Sequence, residues 1–173
     1  TKFDPADVIY SRRGYSGTNF RFAVNKTLLL SIGDSKESFV GLPVAGNVLK
    51  SFSVDTLVYS QTMNDYRVHT GVDIASTLGC PVKALSDGVI KEIYDDPLMG
   101  QTIVIDHGNE TLSVYQNLST ELPDGIEVGA SVEEGEVIAG IGETCLIECA
   151  EEPHLHFEVS VDGEKIDPMG LFE

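Results

Sequence analysis

The chain has 173 residues, 42% of them hydrophobic, which is enough for one domain with a buried core. Eleven basic residues against 28 acidic ones give a formal charge of -17, a surface that repels phosphate backbones and argues against nucleic acid as a partner. No apolar run approaches the ~18 residues of a membrane-spanning helix and the first residues lack a signal-peptide layout, so any export or anchoring segment is expected outside this stretch.

Residues 1–40 differ from the rest. "RRGYSGTNFRF" has no clear period, so this part reads as a lead-in with some irregular strand. From Gly41 onward, short runs rich in Val and Ile are cut by Gly, Pro and Asp, and residues 41–173 read as one domain. "PVKAL", "DGVIKEIY", "QTIVIDH", "LSVYQNL", "EVIAGIG" and "HLHFEVSV" each have strand character. The consecutive Ile103, Val104 and Ile105 point to burial on both faces. "DDPLMG" between two strands has turn chemistry. No segment keeps a long helical period. The expected class is mainly β, an antiparallel sandwich or partly open barrel.

Three cysteines are not a disulfide framework. Cys145 and Cys149 read as ordinary thiols or a local disulfide; a cysteine zinc knuckle would need a second pair.

Two of the four histidines, His154 and His156, stand one residue apart on the last strong strand. Residues i and i+2 of a strand project from the same face, so both imidazoles point one way, with Leu155 and Phe157 opposite. Upstream, "YRVHTGVDIAS" places His69 and Asp73 four residues apart. On a straight strand that is roughly 13 Å. Ligands of one zinc lie about 3–3.5 Å apart, so these two can share an ion only if the chain turns between them. Gly71 is placed to permit that turn. His69, Asp73 and one histidine of the pair then make a two-histidine, one-carboxylate set with a fourth position for water. The remaining histidine would stand beside the metal, where proton transfer is wanted. His107, in "IDHGNE", reads as a loop residue after a strand and not as a ligand.

"HTGVDIA", "GCPVKALSDGVI", "GQTIVIDHGNETLSVYQNLS", "VGASVEEGEVIAGIGET" and "HLHFEVSVDGEKIDP" follow one another as in the lysostaphin/LytM-type zinc endopeptidases. The resemblance runs from about Leu42 to Leu171, roughly three quarters of the chain. It implies a Zn²⁺ cofactor held by His69, Asp73 and His156, with His154 as a catalytic histidine, in a LytM-type β-domain that acts on peptidoglycan peptides. One departure stands out. The family carries Tyr-x-His-Leu where this chain has Tyr115-Gln116-Asn117-Leu118. Asn117 donates hydrogen bonds but exchanges no proton at neutral pH. Losing an acid–base group typically costs about 10²–10⁴-fold in rate. The roles left for Tyr115 and Asn117 are then at the oxyanion or the substrate.

"KEIYDDPLMGQTIVIDH", "VYQNLS" and "CLIECAEEPHLHFE" are most similar to the SpoIIQ-like branch of the family. That similarity implies an extracytoplasmic domain, anchored in the forespore membrane by an N-terminal helix absent from this chain. It also implies a SpoIIIAH-like partner on the mother-cell side and a role in engulfment. The glycine rhythm of "VGASVEEGEVIAGIGE" is similar to biotin- and lipoyl-carrier domains as well, but Lys83, Lys91 and Lys165 lack a hairpin-tip setting.

Overall fold

The computed structural model describes residues 41–172, so the lead-in expected over residues 1–40 lies outside the described part. The described chain is antiparallel β throughout, closed by one short 3-10 turn at Pro168–Leu171. Its strands are β1 (Asn47–Lys50), β2 (Ser53–Ser60), β3 (Asp65–His69), β4 (Val72–Ala75), β5 (Pro81–Lys83), β6 (Gly88–Asp96), β7 (Gly100–Asp106), β8 (Thr111–Leu118), β9 (Ser131–Val132), β10 (Val137–Gly140), β11 (His154–Val161) and β12 (Glu164–Ile166). The six strands read from the sequence correspond to β5, β6, β7, β8, β10 and β11.

Eight strands form one sheet in the order β1-β4-β11-β8-β7-β6-β9, with β12 beside β11. β5 and β10 form a small ribbon, and β2 and β3 form a separate hairpin. Val82 and Ile138 of the small ribbon share one buried cluster with Ile74, Ile105, Tyr115, Leu155 and Phe157 of the large sheet. The ribbon therefore covers one face of the large sheet, as expected for an antiparallel sheet that hides a single apolar side. Ile103, Val104 and Ile105 are all buried, as their consecutive apolar run implied. Between β6 and β7 the "DDPLMG" turn is stapled by Asp96, whose Oδ1 accepts from the Leu98 and Met99 amides at 2.8 Å.

Register decides where the polar side chains go. In the β11–β4 pair His156 faces Asp73, while Leu155 faces Ile74 and Phe157 faces Val72. The apolar partners point into the core, so His156 and Asp73 share the opposite face. A slip of one residue would drive Asp73 into the core, so burial of the apolar set fixes the pairing. β1 extends the same face, because Lys50 lies opposite Asp73 on the other side of β4.

All three cysteines are free; Cys145 is buried and Cys149 exposed. Of the two readings for that pair, ordinary thiols is the one observed. No helix among the described residues is long and apolar enough to cross a membrane.

Candidate metal centre

The turn between His69 and Asp73 falls where it was expected. β3 ends at His69, Thr70 and Gly71 break the strand, and β4 resumes at Val72. Gly71 is required for space and not for an unusual φ. A Cβ there would stand 2.6 Å from the Phe157 carbonyl oxygen and 2.8 Å from His156 Nε2. The missing side chain lets the β3–β4 corner lie directly on β11.

Three donor atoms consequently converge. His156 Nδ1 is 2.7 Å from Asp73 Oδ1, His69 Nε2 is 3.1 Å from the same oxygen, and the two ring nitrogens are 3.3 Å apart. The separation of the two ring nitrogens equals the edge, about 3.3–3.6 Å, of a tetrahedron centred about 2.0–2.2 Å from each atom, while the two contacts to Asp73 Oδ1 are shorter, at hydrogen-bond distance. All three residues are buried, Asp73 completely.

The outer contacts fix the tautomers. His69 Nδ1 lies 2.9 Å from the Ser51 carbonyl and must donate to it, which leaves Nε2 as a lone pair facing Asp73. His156 turns Nε2 toward Glu158 Oε1 at 3.5 Å and its Nδ1 into the cluster. Glu158 is itself held by Thr70 and Lys165. Each ring thus aims an acceptor at a carboxylate oxygen, an arrangement that needs a cation or a proton at its centre. Asp73 Oδ2 is buried without a hydrogen-bond partner, although Lys50 Nζ lies 3.1 Å away as an ion-pair contact. Buried charges are paired or coordinate metals, and here Oδ2 faces the lysine while Oδ1 faces the two rings. The residues present therefore fit a divalent ion of the zinc class.

With a proton in that place, burial works against a charged His156, but Asp73 and Glu158 outweigh it and raise the group to about 10. Burial likewise opposes ionisation of Asp73, yet His156 and His69 hold its carboxyl well below the usual range. Glu158 is brought down to about 2 against its burial, by His156, Lys165 and Thr70.

A fourth residue, and second carboxylate, joins the group. Glu148, from the loop before β11, places Oε2 3.7 Å from His156 Nδ1 and Oε1 4.0 Å from His69 Nε2. His69, Asp73, Glu148 and His156 together form a buried cluster able to hold one ion. Lys50 Nζ binds Glu148 Oε1 at 2.7 Å and Glu151 Oε1 at 2.8 Å. Burial opposes its charge, but Asp73, Glu148 and Glu151 keep it protonated well above the ordinary lysine value. Sequence reading missed Glu148 and Lys50, since neither has a spacing that ties it to the histidines.

His154 stands beside the cluster and not in it. Its Nδ1 donates to the Glu152 carbonyl at 2.7 Å, and Nε2 faces Glu148 Oε2 at 3.4 Å. Burial lowers its basicity, but Glu148 more than offsets this and the group titrates above its ordinary value. Asn117 lies nearby at φ 62°, a left-handed conformation that asparagine tolerates better than most residues. Its Oδ1 accepts from the Thr144 and Cys145 amides, both at 2.9 Å, and its Nδ2 donates to the His154 carbonyl at 2.9 Å. Asn117, Glu148 and His154 line a cavity of about 240 Å³. Tyr115 is elsewhere. It faces the core opposite Phe157, and its hydroxyl accepts from the Leu85 amide at 2.8 Å and lies 3.1 Å from Ser113 Oγ. His107 follows β7 and binds the Asp87 carbonyl and Ser113 Oγ, away from the cluster. A larger cleft of about 490 Å³, lined by Leu42, Val44, Cys80 and Lys83, contains no comparable set of donors.

An antiparallel β-domain with a buried His-Asp-His face defines a metallopeptidase-like class, and residues 67–168 match Peptidase family M23. The chain belongs to that family. It is 30% identical over 140 residues to the DD-carboxypeptidase/endopeptidase Mpg of Neisseria meningitidis, covering 73% of this chain and 31% of that protein. It is 29% identical over 112 residues to Stage II sporulation protein Q of Bacillus subtilis, covering 64% of this chain and 38% of that protein. A solved structure of the SpoIIQ–SpoIIIAH pore forming complex superposes with a TM-score of 0.66 at 25% identity, over 80% of this chain and 93% of that one. The chain thus spans about a third of the length of these two curated relatives.

Proposed function

We propose that the chain is a zinc-binding M23 domain of a SpoIIQ-like sporulation protein. It acts in assembly through a SpoIIIAH-like partner across the space between forespore and mother cell. His69, Asp73 and His156 hold the Zn²⁺. In the family such an ion polarises a peptide carbonyl and activates water. Here it ties the β3–β4 corner to β11, and because the donors converge only in the folded chain, its binding free energy becomes folding free energy.

The observation that carries this reading is Asn117. At the position where the resembling enzymes have a histidine, its amide is consumed by three hydrogen bonds to the 143–153 loop and β11. It supplies loop architecture and no proton. The test is to mix the protein with a SpoIIIAH-like ectodomain at tens of micromolar. A zinc-dependent complex on size exclusion is expected, and separate elution would count against the assembly role.

A second reading, an active peptidoglycan endopeptidase, is favoured by one feature. His154 keeps its Nδ1 on the Glu152 carbonyl and turns Nε2 toward the cluster, the posture of a proton shuttle. Digestion of muropeptides followed by mass spectrometry separates the two. Intact cross-links are expected, whereas cleavage abolished by His154→Ala would establish the enzyme.

A further inference from the structure

We infer that Glu148 is the fourth protein ligand of the metal, which makes this a closed, structural site sealed from within the domain. The inference rests on the zinc reading above and deepens it. The nearest approaches of Glu148 to the two ring nitrogens, 3.7 Å from Oε2 and 4.0 Å from Oε1, lie within about 0.7 Å of a tetrahedral edge of about 3.3–3.6 Å. In the metal-bound form this side chain, 7% exposed, would turn to bring one of these oxygens to both nitrogens.

The charges around the site balance with Glu148 in the shell. Two neutral imidazoles with the Asp73 and Glu148 carboxylates balance a dication. Lys50 then balances Glu151 at 2.8 Å, and Lys165 pairs with Glu158. No buried charge is left over, which is the condition for a stable buried ionic cluster. With water in that position the total charge would be the same, and Glu148 would keep Lys50 Nζ at 2.7 Å and His154 Nε2 at 3.4 Å as its partners.

The loop holds Glu148 in position independently of the metal. Asn117 Oδ1 anchors the Thr144 and Cys145 amides, Leu98 accepts from the Leu146 amide at 2.8 Å, and Lys50 grips Oε1. Asn117 therefore acts as a positioning residue for Glu148. The substitution that removes the proton donor and the carboxylate that fills the water position belong to one arrangement.

The test uses Co²⁺ as a spectroscopic stand-in and acetohydroxamate as a probe of an open coordination position. Co²⁺-loaded wild type should keep its visible spectrum unchanged in millimolar acetohydroxamate. The Glu148→Ala protein should show a ligand-induced shift and at least a tenfold weaker Zn²⁺ affinity. Glu148→Gln, which preserves volume, guards against misfolding and should weaken Zn²⁺ in the same direction while its circular dichroism stays native. Wild type that binds the hydroxamate, with Zn²⁺ affinity unchanged in both variants, would overturn the inference while leaving the three-ligand site standing. A wild type that takes up no Co²⁺ or Zn²⁺ would overturn both.

Discussion

His156 and Asp73 face each other across the β11–β4 pair with Nδ1 and Oδ1 2.7 Å apart, and that one contact joins two segments 83 residues distant in the chain. Its strength depends on what stands between the atoms. A proton there makes a buried ion pair, and a metal ion makes a coordination site.

The two occupants respond oppositely to pH. In the metal-free fold His156 titrates at about 10 against an ordinary value of 6.5, so its proton stabilises the fold fully below about 6.5. That contribution fades as pH rises toward 10. The zinc-loaded fold has no such proton to lose. Scanning calorimetry with and without a chelator should show the gap in Tm widening between pH 6 and 9. Zinc binding near neutral pH should also release about one proton per ion, readable by calorimetric titration in buffers of different ionisation enthalpy. A gap that stays constant or shrinks would contradict the arrangement.

Asn117→Ala strands the Thr144 and Cys145 amides and frees the His154 carbonyl. The expected cost is about 2–4 kcal/mol in chemical denaturation, from lost hydrogen bonds and unsatisfied donors. Limited proteolysis should then cut within residues 143–153. Asn117→His, the family residue, cannot both accept two amides and donate to His154, so it should also loosen the loop. Cleavage of peptidoglycan should not return in that variant while Glu148 remains.

Gly71→Ala tests the corner. The added methyl meets backbone and an imidazole at 2.6–2.8 Å, with neither free to retreat. Destabilisation of about 1–3 kcal/mol is expected, together with weaker zinc binding, because the displaced ring is that of His156, the proposed ligand. Native affinity in this variant would show that the β3–β4 turn does not set the site.

Much of this was legible in the sequence because it rests on strand alternation. His154 and His156 share a face since Leu155 and Phe157 must be buried, and the glycine between His69 and Asp73 marked a turn. Glu148 and Lys50 were not legible. Lys50 reaches Asp73 through the register of β1 on β4, which no local pattern encodes. Glu148 is delivered by an irregular loop held by Asn117, and in "CLIEC" the cysteines draw attention away from it. β2 and β3 were also missed. Leu57, Tyr59, Tyr66 and Val68 are exposed there, so the hairpin lacks the buried face that produces a clean period.

The most direct measurement is metal content by elemental mass spectrometry on the purified protein and on His69→Ala, Asp73→Ala and His156→Ala. One zinc per wild-type chain and almost none in each variant is expected, with Asp73→Asn as a gentler change. Zinc retained at full stoichiometry without Asp73 and His156, or absent from the wild type, would contradict it.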